Sequence, residues 1–246
     1  MSMIYPEKIE VGENIYHVAY EIAMRSTSSV KIRNGGIVIK LSRFTMGFQR
    51  DRIVRKFLRW AEKRLVKVGK DAFIKPVYEN GGRIVTHNKV YELSVKVIPG
   101  DKSRIALKHG NILEIGISGL FVKLNPKKGN KTVQYLAEKL IMKDQLAYLK
   151  EVIGELNQLY FQEFLKFCRF KRTNSRFGSC SSKRNINIAF RLLFAPREVF
   201  RYVCVHELSH LKEMNHSVRF WAHVEAAMPN YKEAEKWLRD NGFMLG

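Results

Sequence analysis

The chain has 246 residues, with 44 Lys and Arg against 23 Asp and Glu, a formal charge of +21, and only three cysteines. A chain of this length buries a sizeable core without covalent staples, and three widely spaced cysteines with no Cys-x-x-Cys pair exclude a disulfide framework and a thiolate zinc cluster. No stretch approaches the roughly 18 apolar residues of a membrane helix, and the first residues hold no apolar signal core, so a soluble cytoplasmic protein is expected.

Residues 15–22 alternate in polarity, and the apolar-rich runs 30–33 and 37–41 flank Asn34-Gly35-Gly36, a hairpin signal. From residue 48 to 67 the period lengthens. Ile53, Phe57, Trp60, Ala61 and Leu65 fall at helical spacing, among Arg50, Arg52, Arg55, Lys56, Arg59, Lys63 and Arg64. The basic face reads as solvated, with anion binding as the alternative. Residues 83–98 and 104–124 read as further strands turning at 87–89 and 109–111, which makes His87 and His109 turn residues rather than ligands. Residues 125–130, Asn-Pro-Lys-Lys-Gly-Asn, form a loop and a boundary. Residues 132 to about 170 read as one or two helices, and no internal repeat is evident. The expected fold class is α+β. A strand-rich region of antiparallel hairpins with one helix covers residues 1–125, and a helical domain with a small sheet covers residues 126–246.

Residues 164–191 carry Lys166, Arg169, Lys171, Arg172, Arg176, Lys183, Arg184 and Arg191, and no acid. From Pro196 onward basic and acidic residues balance, so the whole excess charge precedes that point. Such an excess suits anionic partners, nucleic acid among them; it also serves solubility. Gly178 to Ser182 reads as a tight small-residue corner, and residues 185–194 as a strand leading into the next helix. Cys180 has no base paired with it and is not read as a nucleophile.

That next helix carries the chemistry. Pro196 suits a helix start, and nothing from Arg197 to Glu213 breaks a helix. His206-Glu207-Leu-Ser-His210 puts two imidazoles four residues apart on one face, where both reach a single ion, with Glu207 one step round. Zinc takes four ligands, and a catalytic site keeps one position open, so a third protein ligand is required. His216 is the first candidate. Asn215 tolerates the conformation that ends helices, and Ser217 is a good N-cap for the next one, so His216 lies in the corner between two helices. Glu225 is the rival, while His223 reads as a packed side chain. Glu207 is the expected general base. Tyr202, Arg172, Arg176 and Arg191 are candidates for holding substrate or the developing oxyanion.

The run His206-Glu-Leu-x-His210-Leu-x-x-x-Asn215-His216-Ser217-x-x-Phe220-Trp221 resembles the YgjP-like metallopeptidase family, relatives of the SprT-like zincins. The likeness extends upstream through Arg176-Phe-Gly-Ser-Cys180 and Asn185-Ile-Asn-Ile-x-x-Arg191, and downstream to Pro229-x-Tyr231 and Trp237-Leu238. Phe177 stands where the family favours Trp, and Ala189-Phe190 where it favours Asn-Trp. The resemblance implies a zincin-like C-terminal domain and one Zn2+ per chain. It also implies a strand beside the active helix that pairs with an extended peptide, for which residues 185–194 are the candidate. The leading expectation is a zinc-dependent metallopeptidase. Two alternatives stay open: a metal-dependent hydrolase of a phosphorylated small molecule such as a nucleotide, and a nucleic-acid-associated protease or binding protein.

Overall fold

The structure is a computed structural model and describes residues 5–12, 14–33, 36–66, 76–125 and 128–245. It is a mixed α/β architecture of three small sheets and seven α-helices among those residues. Contacts divide the chain into two units, one drawn from residues 1–73 with 236–246, the other from residues 74–235.

In the first unit β1 (Lys8–Val11), β2 (Asn14–Ala23), β3 (Ser29–Arg33) and β4 (Gly36–Ser42) form a sheet in the order β1-β2-β4-β3. Helix α1 (Gly47–Val66) lays Val54, Leu58, Ala61 and Leu65 against Ile9, Val18, Ile37, Ile39 and Leu41 of that sheet, and Phe243 packs on the same core. Of the expected stripe Ala61 and Leu65 are buried, Ile53 and Phe57 pack half-buried on this core and Trp60 stays 41% exposed, while Val54 and Leu58, one position further on, complete the buried face. The turn residues Asn34 and Gly35 lie outside the described residues, as do Pro126 and Lys127 of the expected loop.

The second unit opens with β5 (Arg83–Val85), β6 (Val90–Ile98), β7 (Arg104–Lys108) and β8 (Ile112–Ser118), in the order β5-β6-β8-β7. The two sheets repeat one plan, against the expectation of no internal repeat. In each, two antiparallel hairpins join through a parallel central pair, β2 with β4 and β6 with β8, so the sheets are mixed rather than purely antiparallel. Each fourth strand ends on a buried serine. Ser42 donates to the Arg25 carbonyl, takes the Phe44 N–H, and gives its own N–H to Ser28 Oγ. Ser118 donates to the Gly100 carbonyl, takes the Phe121 N–H, and gives its own N–H to Ser103 Oγ. What the two sheets share is strand order and this serine closure rather than a run of matching residues, which is why the repeat escapes a reading of the sequence.

Residues 119–124 form a short helix, α2 (Gly119–Leu124), where strand was expected. Helices α3 (Gly129–Asp144) and α4 (Leu146–Leu156) come next. The second sheet groups with the residues after 126 because its side chains bond into these helices. Tyr91 and Lys89 both donate to Asp144 Oδ2, Asn88 donates to Gln145, and His87 meets the Tyr148 hydroxyl. The helical run stops well before residue 170. A π-helical turn at residues 157–161 ends in Gln162 at φ 53°, and the Asn157 side chain caps both the N–H and the carbonyl of Glu163. Beyond this turn the chain enters β9 (Phe167–Lys171), with Cys168 and Phe170 inward and Phe167, Arg169 and Lys171 outward. It lies parallel to β11 (Asn185–Ala189), which also pairs antiparallel with β10 (Gly178–Cys180). The Gly178 corner is therefore a strand. Strand β11 is central with both edges paired, so it has no free edge for a substrate, whereas β10 has one.

A buried hydroxyl that bonds two backbone groups, one carbonyl and one N–H, leaves both unpaired when removed, at about 1–3 kcal/mol for an unmet buried group. Ser118→Ala is expected to lower stability by that order in chemical denaturation, and Ser42→Ala to do the same in the first copy.

Candidate metal centre

After β11 a 3-10 turn (residues 190–194) leads into α5 (Arg197–Ser209), with Pro196 as N-cap. The helix is anchored at its back by Phe200, which is fully buried. Its ring stacks on Tyr148 at 5.6 Å and 20° and meets His87 at 4.9 Å and Phe170 at 6.3 Å. His87 is accordingly a packed side chain of the turn before β6, as expected. Helix α5 is shorter than its pattern allowed. His210 is its C-cap, and the N–H groups of Leu211, Lys212 and Glu213 bond back to Leu208 and Ser209 carbonyls. The chain then turns, and Ser217 caps α6 (Val218–Ala227) by accepting the Phe220 N–H.

This corner brings His206, His210 and His216 together. Their candidate ligand atoms all lie within 4.8 Å of one another, the only such group of three found among the described residues. His206 Nε2 and His216 Nε2 stand 3.1 Å apart. Ligands about 2.0–2.1 Å from a tetrahedral ion are separated by about 3.3 Å, so the spacing fits one small cation. His210 Nδ1 lies 3.1 Å from the Glu213 carbonyl, the kind of bond that turns the other ring nitrogen toward a metal. Glu225 is exposed on α6 and outside the group.

Phe220 lies beneath all three imidazoles, with centroids at 4.9, 4.6 and 4.7 Å from His206, His210 and His216. Trp221 meets His206 and His216 and stacks on Tyr231 of α7 (Tyr231–Asn241), which stacks in turn on Tyr202. This aromatic floor was not foreseen beyond its place in the motif. Burial, then the neighbouring imidazoles, push His206 down to about 4. Burial first, with His216 also contributing, lowers His210. At neutral pH His206 is therefore uncharged, as a ligand must be.

Glu207, one step round the same helix, is only 5% exposed. Burial raises its carboxyl to about 8, opposed by the charge of Arg176 and by a hydrogen bond from the Cys180 N–H. Its Oε2 is buried with no hydrogen-bond partner. The other candidates divide. Arg172 is committed to Glu138, which also takes Tyr78 and Gln134. Arg191 lies 4.2 Å over the Phe177 ring and donates to the Asn174 and Arg176 carbonyls, pinning the loop before β10. Tyr202 is buried between His206 and Tyr231. Arg176 remains, exposed on that loop, with its charge acting on Glu207.

The sequence from residue 26 to 241 matches a metallopeptidase domain, a class of metal-dependent hydrolases that cleave peptides. The family is described as YgjP-like, metallopeptidase domain, and the chain belongs to it. No curated protein matches the chain. Among solved structures, the metallopeptidase zymogen jannalysin of Methanocaldococcus jannaschii is 20% identical, covering 37% of this chain and 93% of its own, at a TM-score of 0.33. The zymogen abylysin of Pyrococcus abyssi is 23% identical, covering 42% of this chain and 97% of its own, at a TM-score of 0.31. At those TM-scores the likenesses carry no weight for fold or chemistry. No helix among the described residues is long and apolar enough to cross a membrane.

His216→Ala is expected to lower bound metal, measured by elemental analysis, as far as His206→Ala does. Glu225→Ala should retain it in full. The reverse pattern would transfer the third-ligand role to Glu225.

Proposed function

We propose that the chain is a zinc-dependent peptidase in which His206, His210 and His216 hold the ion and Glu207 is the general base. The observation that carries this is the convergence of three imidazoles on one point, next in sequence to a buried carboxylate with an unpartnered oxygen. Zinc bound there supplies Lewis acidity toward water and the scissile carbonyl. Glu207, raised by its burial, would be held in its ionised form by the charge of an ion bound to the three imidazoles. Glu207 then takes the proton of the attacking water and delivers it to the leaving amine. The exposed Arg176 is the candidate for countering charge on the reacting carbonyl oxygen.

Substrate pairing is assigned to β10. The Ala189 N–H bonds to the Phe177 carbonyl and the Ser181 N–H to the Asn185 carbonyl, so residues 177 and 181 face β11. By antiparallel alternation residues 178 and 180 turn their backbone groups outward. Glu207 takes the Cys180 N–H, and the remaining outward groups suit an extended peptide. The C-terminal half would then be zincin-like in use, with β10 as the substrate strand beside the metal helix.

Glu207→Gln is expected to stay folded and metal-loaded while losing about 10²–10⁴-fold in peptide hydrolysis. The same variant tests the burial of the group. In the metal-free folded chain the carboxyl keeps its proton up to about 8, whereas the unfolded chain releases it near 4.5. Stability therefore falls as pH rises through that window. The metal-free variant should melt above the metal-free parent at pH 8, with the gap closing toward pH 4.5. Unchanged turnover would remove Glu207 from the mechanism. Hydrolysis of nucleotides but not peptides would move the substrate class to phosphate esters or anhydrides.

A second proposal concerns polyanions. Strand β9 presents Phe167, Arg169 and Lys171 outward in one row, with the Arg169 guanidinium 5.4 Å over the Phe167 ring. Such a basic and aromatic row suits sequence-independent contact with nucleic acid. Binding to a labelled oligonucleotide should weaken with salt at a log–log slope of about 0.7–0.9 per neutralised phosphate. Charge reversal at Arg169, Lys171 and Arg176 should weaken it, and binding indifferent to those changes would leave the charge as a solubility feature.

A further inference from the structure

Gly178 sits where α5 meets the outer strand of the small sheet. A Cβ at this position would overlap Glu207 Oε1 and lie 2.7 Å from both Cγ and Cδ of that side chain. Carbon atoms in ordinary contact stand about 3.5–4.0 Å apart. Five of the described glycines have positive φ, and Gly178 is not one of them. The backbone here is an ordinary strand, which any residue adopts. Space, not conformational freedom, is what calls for glycine, and the space is filled by the carboxylate. A glycine inside a strand costs stability for want of a side chain to pack, and it marks a close approach by another group. Two residues on, the Cys180 N–H holds the same carboxylate. Oε2 of that carboxylate has no hydrogen-bond partner.

We propose that strand β10 positions Glu207: Gly178 provides the space the carboxylate packs into, the Cys180 N–H fixes one oxygen, and the other oxygen is left for the substrate's water. Gly178 acts through Glu207 and touches no reacting atom, so it is a positioning residue. The catalytic half of this statement rests on Glu207 being the base; the packing half does not. The strand thereby has two tasks. Its outward backbone groups face the peptide, and its glycine face cradles the carboxylate.

Gly178→Ala is the test, with readouts in metal-free protein that need no substrate. The first is the Cys180 amide proton in a ¹H–¹⁵N spectrum. Glu207→Gln weakens its bond to a charged or acidic oxygen and moves the resonance upfield. Gly178→Ala, by displacing the carboxylate, should move it the same way, with changes confined to residues around β10 and α5. The second readout is a thermal cycle. Gly178→Ala should lower Tm in the parent but by less than a third as much in a Glu207→Ala background, where no atoms remain for the methyl to meet. If the single variant does not fold, recovery of folding in the double variant supports the proposal, and failure in both overturns it. An unmoved Cys180 amide, or an equal loss of Tm in both backgrounds, reduces Gly178 to a strand-packing residue. In an active preparation, kcat should fall about 10²-fold with KM and zinc content unchanged, the cost of about 1 Å of misplacement. If the parent hydrolyses no peptide, the amide and melting results still decide the packing half, and only the assignment of Glu207 as base falls.

Discussion

Helix α5 places an acid where its own period calls for a core residue. Phe200, Val203, Cys204 and Glu207 succeed one another at intervals that keep them on one side of the helix, so Glu207 continues the stripe that Phe200 anchors among Tyr148, His87 and Phe170. Tyr202, His206 and His210 continue a different stripe, four residues apart. One rigid helix therefore carries imidazoles on one side and a desolvated carboxylate on the next. The angle between the two sets is fixed by helical geometry rather than by any flexible loop. Desolvation stores free energy in the carboxylate, and a nearby cation recovers part of it by favouring the charged form. A site built this way is poised by its own burial.

The local half of this arrangement was legible in the sequence because it is written in short intervals. The i, i+4 spacing of His206 and His210, the Ser217 cap and the corner that holds His216 all depend on residues within a few positions of each other. The stripe of α1 and the strands flanking residues 34–36 were legible for the same reason. What escaped is non-local. No interval in the chain tells that Gly178 faces Glu207, that β11 lies between two strands, or that Arg191 stacks on Phe177. The strand at 167–171 was hidden because Phe164, Phe167 and Phe170 also sit three apart, a spacing that reads as helical until Asn157 and Gln162 close the turn. The partners of single arginines are non-local too: Arg172, Arg184 and Arg201 are paired with Glu138, Glu163 and Glu155, each far away in sequence.

Phe220 shows how a motif position can be recognisable before its task is. Its ring supports three imidazoles at nearly equal distance, which restricts all of them with a single rigid side chain. The tilts of the three rings are then set largely by packing, and a ligand atom moved by a rotamer change would have to leave that contact.

The first unit is completed by the far end of the chain, since Phe243 packs against the core made by β1 to β4 and α1. During vectorial synthesis the residues of the first sheet emerge first, yet their core receives this last ring only after residues 74–235 have been made. The unit that holds the imidazoles is continuous in sequence and draws on no residue outside its own span, whereas the core of the first unit includes a segment that follows all of the second.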